Sequence, residues 1–199
     1  MKRPATPPLT IHPLTSERWP DLVRLFGERG ACGGCWCMWW RLPRARWVGQ
    51  KGLANQKAFR AVVEAGPPPG LLAYAGDEPV GWCALAPRTD YPRLETSRIL
   101  KPVDDQPVWS VPCFFVARGC RRRGVNLALL KAAASYARSR GARMLEGYPS
   151  DPKPGYPEVF YYTGLTSAFR KAGFREVARR SPARPIMRRE LRKRAPKRK

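Results

Sequence analysis

The sequence has one histidine, His12, among 199 residues. No apolar run approaches the ~20 residues a helical membrane span needs. The opening MKRPATPPLT has no apolar core of the kind a secretory signal carries. From these absences no helical membrane anchor is expected, and the expectation is a soluble cytoplasmic protein with its six cysteines mostly reduced. Acidic residues are scarce too: Asp+Glu number 15 against Lys+Arg 38, a formal charge of +23. Such an excess favours anionic partners, namely nucleic acid, acidic membrane or a phosphorylated cofactor. The shortage of histidine also bears on metal. Cys32, Cys35 and Cys37 lie close together, but a structural zinc site needs four ligands, usually in two pairs. The second pair is missing, so Cys83, Cys113 or Cys120 would have to complete the set, and no metal is expected. There is no internal repeat, no Walker pattern and no GxGxxG fingerprint.

What is present fits one α/β domain over residues 10–191, between a Pro-rich disordered segment at 1–9 and a mobile basic tail at 192–199. Thr10 to Leu14 reads as a strand, and Thr15 as an N-cap. Trp19, Leu22, Val23 and Phe26 fall on one helical face. Residues 30–47, GACGGCWCMWWRLPRARW, have no clean period and read as a loop. Lys51 to Ala65 is expected to be a helix burying Leu53, Phe59, Val62 and Val63, stopped by GPPPG. Leu71–Ala75 and Val80–Ala86 flank GDEP as a hairpin. A polar connection with a helical turn near Leu94 leads to an apolar strand, Trp109–Val116. Pro112 inside that strand predicts an edge, a bulge or a splay, because proline cannot donate to a ladder. Val125, Leu129, Leu130, Ala133, Ala134 and Ala137 then form one stripe of a long helix capped by Gly141. Met144–Tyr148 is a strand, Ser150–Pro157 a loop and Leu165–Ala172 a helix. Phe174–Arg180 and Pro185–Leu191 close the chain as an antiparallel pair.

The strand, the turn RRRGVN and the long helix form the central unit. A tight turn at a helix start aims several N–H groups at one point, and the helix dipole adds positive charge there. Arg121, Arg122 and Arg123 supply full charges, and Gly124 lets a ligand approach the main chain. Chemically this is a diphosphate site.

CFFVARGCRRRGVNLALLKAAASYARSRGA resembles the cofactor-binding segment of the GNAT superfamily of N-acetyltransferases. Arg121-x-x-Gly124-x-Asn126 corresponds to the family's [RQ]-x-x-G-x-[GA]. FRKAGF, Phe169 to Phe174, resembles the family element near the chain end, and the order of the remaining elements agrees. The resemblance implies a mixed, mostly antiparallel sheet flanked by helices, with its fourth and fifth strands splayed. It implies acetyl-CoA as donor and an amine as acceptor. Phe114, Phe115 and Val116 would line the pantetheine arm, and residues Arg121 to Leu127, Val125 included, would wrap the pyrophosphate. Asn126 departs from the usual Gly or Ala. Phe169 stands on the cofactor side where many members carry a Tyr that protonates the departing thiolate, so that role does not carry over to it.

Direct transfer needs a neutral amine, its alignment with the thioester, and a donor for the oxyanion. Glu146 is the candidate base, weighed evenly against an ion pair with an arginine; Asp104 and Asp105 are alternatives. Tyr148, Tyr161 and Tyr162 are candidate acids, and Cys113 a candidate nucleophile. Cys35, Trp36, Trp39 and Trp40 are expected to border the acceptor, unless these tryptophans are ordinary core. The partners expected are acetyl-CoA and an amine acceptor, with a homodimer as a further assembly. The alternatives are a basic nucleic-acid-binding protein and a non-catalytic acetyl-CoA sensor on the same fold.

Overall fold

In the computed structural model, residues 8–191 are described. The expectations for residues 1–7 and for the tail from Arg192 to Lys199 lie outside them. The elements in chain order are β1 (Leu9–Pro13), α1 (Trp19–Phe26), α2 (Arg44–Gly49), α3 (Leu53–Ala65), β2 (Gly70–Ala75) and β3 (Glu78–Ala84). They continue with β4 (Ala86–Pro87), α4 (Pro92–Glu95), β5 (Trp109–Val111), β6 (Phe114–Val116) and α5 (Val125–Ser139). β7 (Met144–Gly147), α6 (Thr166–Lys171), β8 (Arg175–Arg179) and β9 (Pro185–Glu190) complete the chain.

The strands form two sheets. β1, β2, β3 and β6 make an antiparallel sheet in that order, and β4, β5, β7, β9 and β8 make a second in which only β5 and β7 run parallel. The apolar strand Trp109–Val116 is therefore two strands, interrupted at Pro112 and Cys113. Its first half pairs with β7, ending at Val111 opposite Gly147. Its second half pairs with β3, Phe114 facing Cys83. The sheets part at the residue that lacks an N–H.

Alternation along β2 and β3 sorts their side chains onto two faces. Leu71, Ala73, Val80 and Cys83 pack with Val125, Leu129, Leu130 and Ala133 of α5. Leu72, Tyr74, Trp82 and Ala84 pack with α1, α3 and the 30–42 loop, through Leu22, Phe26, Trp36 and Phe59. Because both faces are covered, these strands are almost continuously buried. All six residues of the expected α5 stripe are buried. Gly141, at φ +84, ends that helix. Leu53 departs from expectation: at the first turn of α3 its side chain points outward and is 73% exposed. Thr15 makes no capping bond; a 3-10 turn over Ser16–Arg18 leads into α1 instead.

Candidate active site

The turn between β6 and α5 is built from two left-handed residues, Arg122 at φ 60 and Gly124 at φ 80. A Cβ at Gly124 would meet nothing within 4 Å, so the space above its main chain is open. The first helical bond runs from the Ala128 N–H to the Gly124 carbonyl, so the N–H groups of Val125, Asn126 and Leu127 have no acceptor within the helix. In this structure a carboxylate meets the arginines of the turn. Arg122 binds Glu158 at 2.5 Å and Arg121 binds it at 3.4 Å. The Arg122 bond and charge hold the Glu158 carboxyl below its ordinary value.

Beside this turn, β6 and β7 diverge and leave a wedge. Phe169 fills its base, packing edge-on against Phe114 with ring centroids 6.0 Å apart. A Cβ on Gly147 would come within 2.1 Å of that ring, so glycine is required where the ring crosses β7. Phe114 turns its N–H away from β3 into the wedge, where the Tyr162 carbonyl accepts it at 2.6 Å. Val116 directs its carbonyl to Arg121 Nε at 3.2 Å. Phe115, one residue out of phase, packs instead against Phe26 on the other face. The segment carrying Glu158 and Tyr162 thus contacts both the turn and the wedge.

Glu146 is fully buried on β7. The register aligns Ser110, Glu146 and Arg188 in one row across β5, β7 and β9. Arg188 Nε binds one carboxylate oxygen at 2.6 Å. Arg88 Nη1 at 2.7 Å and the Tyr148 hydroxyl at 2.6 Å bind the other. Glu95 and Asp104 pair with the outer sides of Arg88 and Arg188. Of the two readings of Glu146, base or arginine partner, the geometry is that of the second: both of its oxygens are engaged, and it is the centre of a buried ion-pair network. Asp104 belongs to the same network. Tyr148 is withdrawn for the same reason, since its hydroxyl is shared among Glu146, Arg88 and Ser110. Burial and the Glu146 charge raise its pKa well above the tyrosine range.

The aromatic loop divides into two parts. Ala31, Trp36 and Cys37 all adopt left-handed backbone, an uncommon conformation held by packing. Trp36 stacks on Trp19 and is 3% exposed. Cys37 accepts the Trp82 indole N–H at 2.8 Å. Burial pushes the Cys35 thiol up to about 11. Trp36 is therefore core, and Cys35 beside it is partly buried with its thiol turned to the Gly30 carbonyl at 3.8 Å, so neither is placed as an acceptor contact. Trp39 and Trp40 lie on the other side, in a third cluster with Tyr91, Tyr148, Tyr162 and Cys113. There the Arg93 guanidinium sits 3.5 Å above the Trp39 ring. Cys113, at the strand interruption, has a thiol raised far above its ordinary value by its Cys37 neighbour and by burial, so it is no ready nucleophile. Tyr161 binds the Lys153 backbone instead. Tyr162 borders the wedge through its backbone carbonyl, and its side chain lies in the third cluster, making no hydrogen bond to Glu146. Among the described residues no cluster of three or more His, Cys, Asp or Glu could hold a metal ion. No described helix is long and apolar enough to cross a membrane.

Arg88, Arg93, Glu158 and Arg184 were not singled out from sequence. Single charges in loops carry no local signal.

A strand that leaves one sheet for another just ahead of an arginine-glycine turn is the architecture of a GNAT-type acyltransferase. The chain belongs to that family: residues 36–152 match the model of the acetyltransferase (GNAT) family. Among solved structures it resembles an N-acetyltransferase from Staphylococcus aureus at TM-score 0.56 and 10% identity, covering 93% of this chain and 99% of that one. It also resembles a GCN5-related N-acetyltransferase from Kribbella flavida at 0.52 and 19%, covering 92% and 98%. A third is YncA of Salmonella typhimurium, solved with its cofactor acetyl-CoA, at 0.54 and 12%, covering 94% and 96%. At these identities the likeness is one of fold. No curated protein matches the sequence.

Proposed function

We propose that the chain is an acetyl-CoA-dependent N-acetyltransferase that delivers the acetyl group directly to an amine. The observation that carries this reading is the interruption at Pro112 and Cys113, which turns the Phe114 backbone into a wedge beside the Gly124 turn. The residues fit the coenzyme. The turn offers open main chain, N–H groups without helical acceptors and arginines that already bind a carboxylate.

When bound, acetyl-CoA supplies the thioester whose C–S bond breaks as the amine nitrogen bonds to the acetyl carbon. The chain's own residues do the rest. Arg121, Arg122 and Arg123, with the N–H groups of Val125, Asn126 and Leu127, hold the diphosphate. The Phe114 N–H, once released by the Tyr162 carbonyl, is the donor for developing negative charge on the carbonyl oxygen. Phe169 has no hydroxyl and excludes water from the base of the wedge. Burial raises the Tyr162 phenol above its ordinary value, with Arg184 offsetting part of the rise, so it holds a proton at neutral pH for the leaving thiolate. With Glu146 committed to its arginines, the acceptor ammonium sheds its proton to water.

Acetyl-CoA should raise the melting temperature, because a ligand that binds only the folded state stabilises it. Gly124→Glu should abolish the rise, since it sets a carboxylate where the diphosphate would lie. An unchanged melting curve at millimolar acetyl-CoA overturns the reading. Thiol release across a panel of amines tests the transfer itself.

A further inference from the structure

Shielded polar side-chain atoms without a partner concentrate at the third cluster, around Trp39, Trp40, Tyr91 and Tyr162. Five shielded donors there have no partner: Trp40 Nε1, Arg41 Nη2, the Tyr91 hydroxyl, Arg93 Nη1 and Arg184 Nε. A shielded donor without an acceptor costs free energy, and a shielded cation without a counter-charge costs more.

Two of the five are decisive. Neither Arg93 nor Arg184 pairs with a carboxylate among the described residues. The arginines nearby do: Arg88 with Glu95 and Glu146, Arg188 with Asp104 and Glu146, and Arg41 with Asp90. Arg93 is held over Trp39, its guanidinium carbon 3.5 Å from the ring centroid, and one of its terminal nitrogens is shielded without a partner. Arg184 makes a long bond of 3.5 Å from Nη2 to the Tyr148 carbonyl and interacts with the Tyr162 phenol, neither of them an anionic partner. Both guanidinium groups lie within electrostatic reach of the Tyr162 phenol. Burial lowers the Arg93 pKa, as expected of a cation with no compensating anion beside it.

We propose that the acceptor is a small amine that carries its own anionic group, a carboxylate or a phosphate, held between Arg93 and Arg184 so that its amine meets the thioester beside Tyr162. The inference rests on the acetyl-transfer reading for the role of the amine, but not for the anion site itself. A carboxylate presents two acceptor oxygens to an arginine fork, whereas an ammonium or polyamine would meet only positive charge.

The test uses the full chain and has two arms. In the first, thiol release from acetyl-CoA is compared for a set of free amino acids, the same amino acids as carboxamides, aminoalkyl phosphates and spermidine, each at the pH giving equal neutral amine. Anionic acceptors should exceed carboxamides by about tenfold or more in kcat/KM, and spermidine should be slowest. Amino acids and aminoalkyl phosphates compared with each other identify which anion is used. Arg93→Gln and Arg184→Gln should each raise KM for the anionic acceptor about tenfold, with little change in KM for the carboxamide, and leave the acetyl-CoA melting shift unchanged. Arg93→Lys keeps the charge without the planar fork and should recover part of the loss. The second arm is calorimetric titration of the N-acetylated acids and their amides, which needs no turnover and so tests the anion site even if acetyl transfer fails. Binding of the acids over the amides, lost in Arg93→Gln, supports the site. Equal binding of acids and amides, preferred turnover of neutral or cationic amines, or Gln variants that slow all acceptors alike overturns it.

Discussion

Three residues give the sharpest tests. Glu146→Gln removes the charge that two buried guanidinium groups share, and breaking a buried pair costs about 3–5 kcal/mol. The variant should melt well below the wild type, while its pH–rate profile keeps its shape; a profile that loses its acidic limb would return Glu146 to the mechanism. Tyr162→Phe keeps the ring and removes the acid. We expect kcat to fall by about 10²-fold or more with the acetyl-CoA melting shift kept. The sign of the pH dependence follows from the same phenol. Its pKa is raised, so it stays protonated through and beyond the ordinary tyrosine value of ~10, and the loss of its proton cannot limit the rate below that. The rate should rise with pH along the titration of the acceptor amine, and acceptors of lower amine pKa should shift the curve to lower pH accordingly. Of this chemistry, the sequence made Tyr162 legible only as one of several tyrosines. The Glu146 network was hidden because its members lie 42, 58 and 84 positions apart in pairs, a closeness created only by strand register.

Among elements, α5 was the most legible, since its stripe needs only the 3.6-residue period. Leu129→Ala should cost about 2–5 kcal/mol, measured by denaturant unfolding, because its side chain is fully buried against β2 and β3. Pro112 announced a disturbed strand, but which half joins which sheet depends on β3 and β7, distant in sequence. Ser150–Pro157 read only as a loop and the residues just after it carried no assignment, yet Glu158 there stands on the arginines where the diphosphate is proposed to lie. Glu158→Ala should tighten acetyl-CoA binding severalfold. It should barely change the unliganded melting temperature, because exposed ion pairs contribute little to stability. The Glu158 pKa is depressed, so its pairing is present at neutral pH and is lost as pH falls through that depressed value. Weaker acetyl-CoA binding in the alanine variant would show that Glu158 orients the arginines and does not compete for them.

For the whole molecule, the charge of +23 acts at a distance. Two anionic substrates approaching a positive protein should be drawn in faster at low salt, so kcat/KM for acetyl-CoA should fall as ionic strength rises, while kcat changes little. A salt-independent kcat/KM would confine the charge to a role elsewhere. Encounter is not the whole of binding, however. The Phe114 N–H that faces the wedge is already bonded to the Tyr162 carbonyl, and the arginines of the turn already hold Glu158. If acetyl-CoA binds as proposed, a competent molecule is one in which both contacts have opened, and the observed dissociation constant is the intrinsic one divided by the fraction of such molecules. Stopped-flow association should then level off with rising acetyl-CoA at the rate of that opening. The plateau, unlike the initial slope, should be insensitive to salt-dependent steering and be raised by Glu158→Ala.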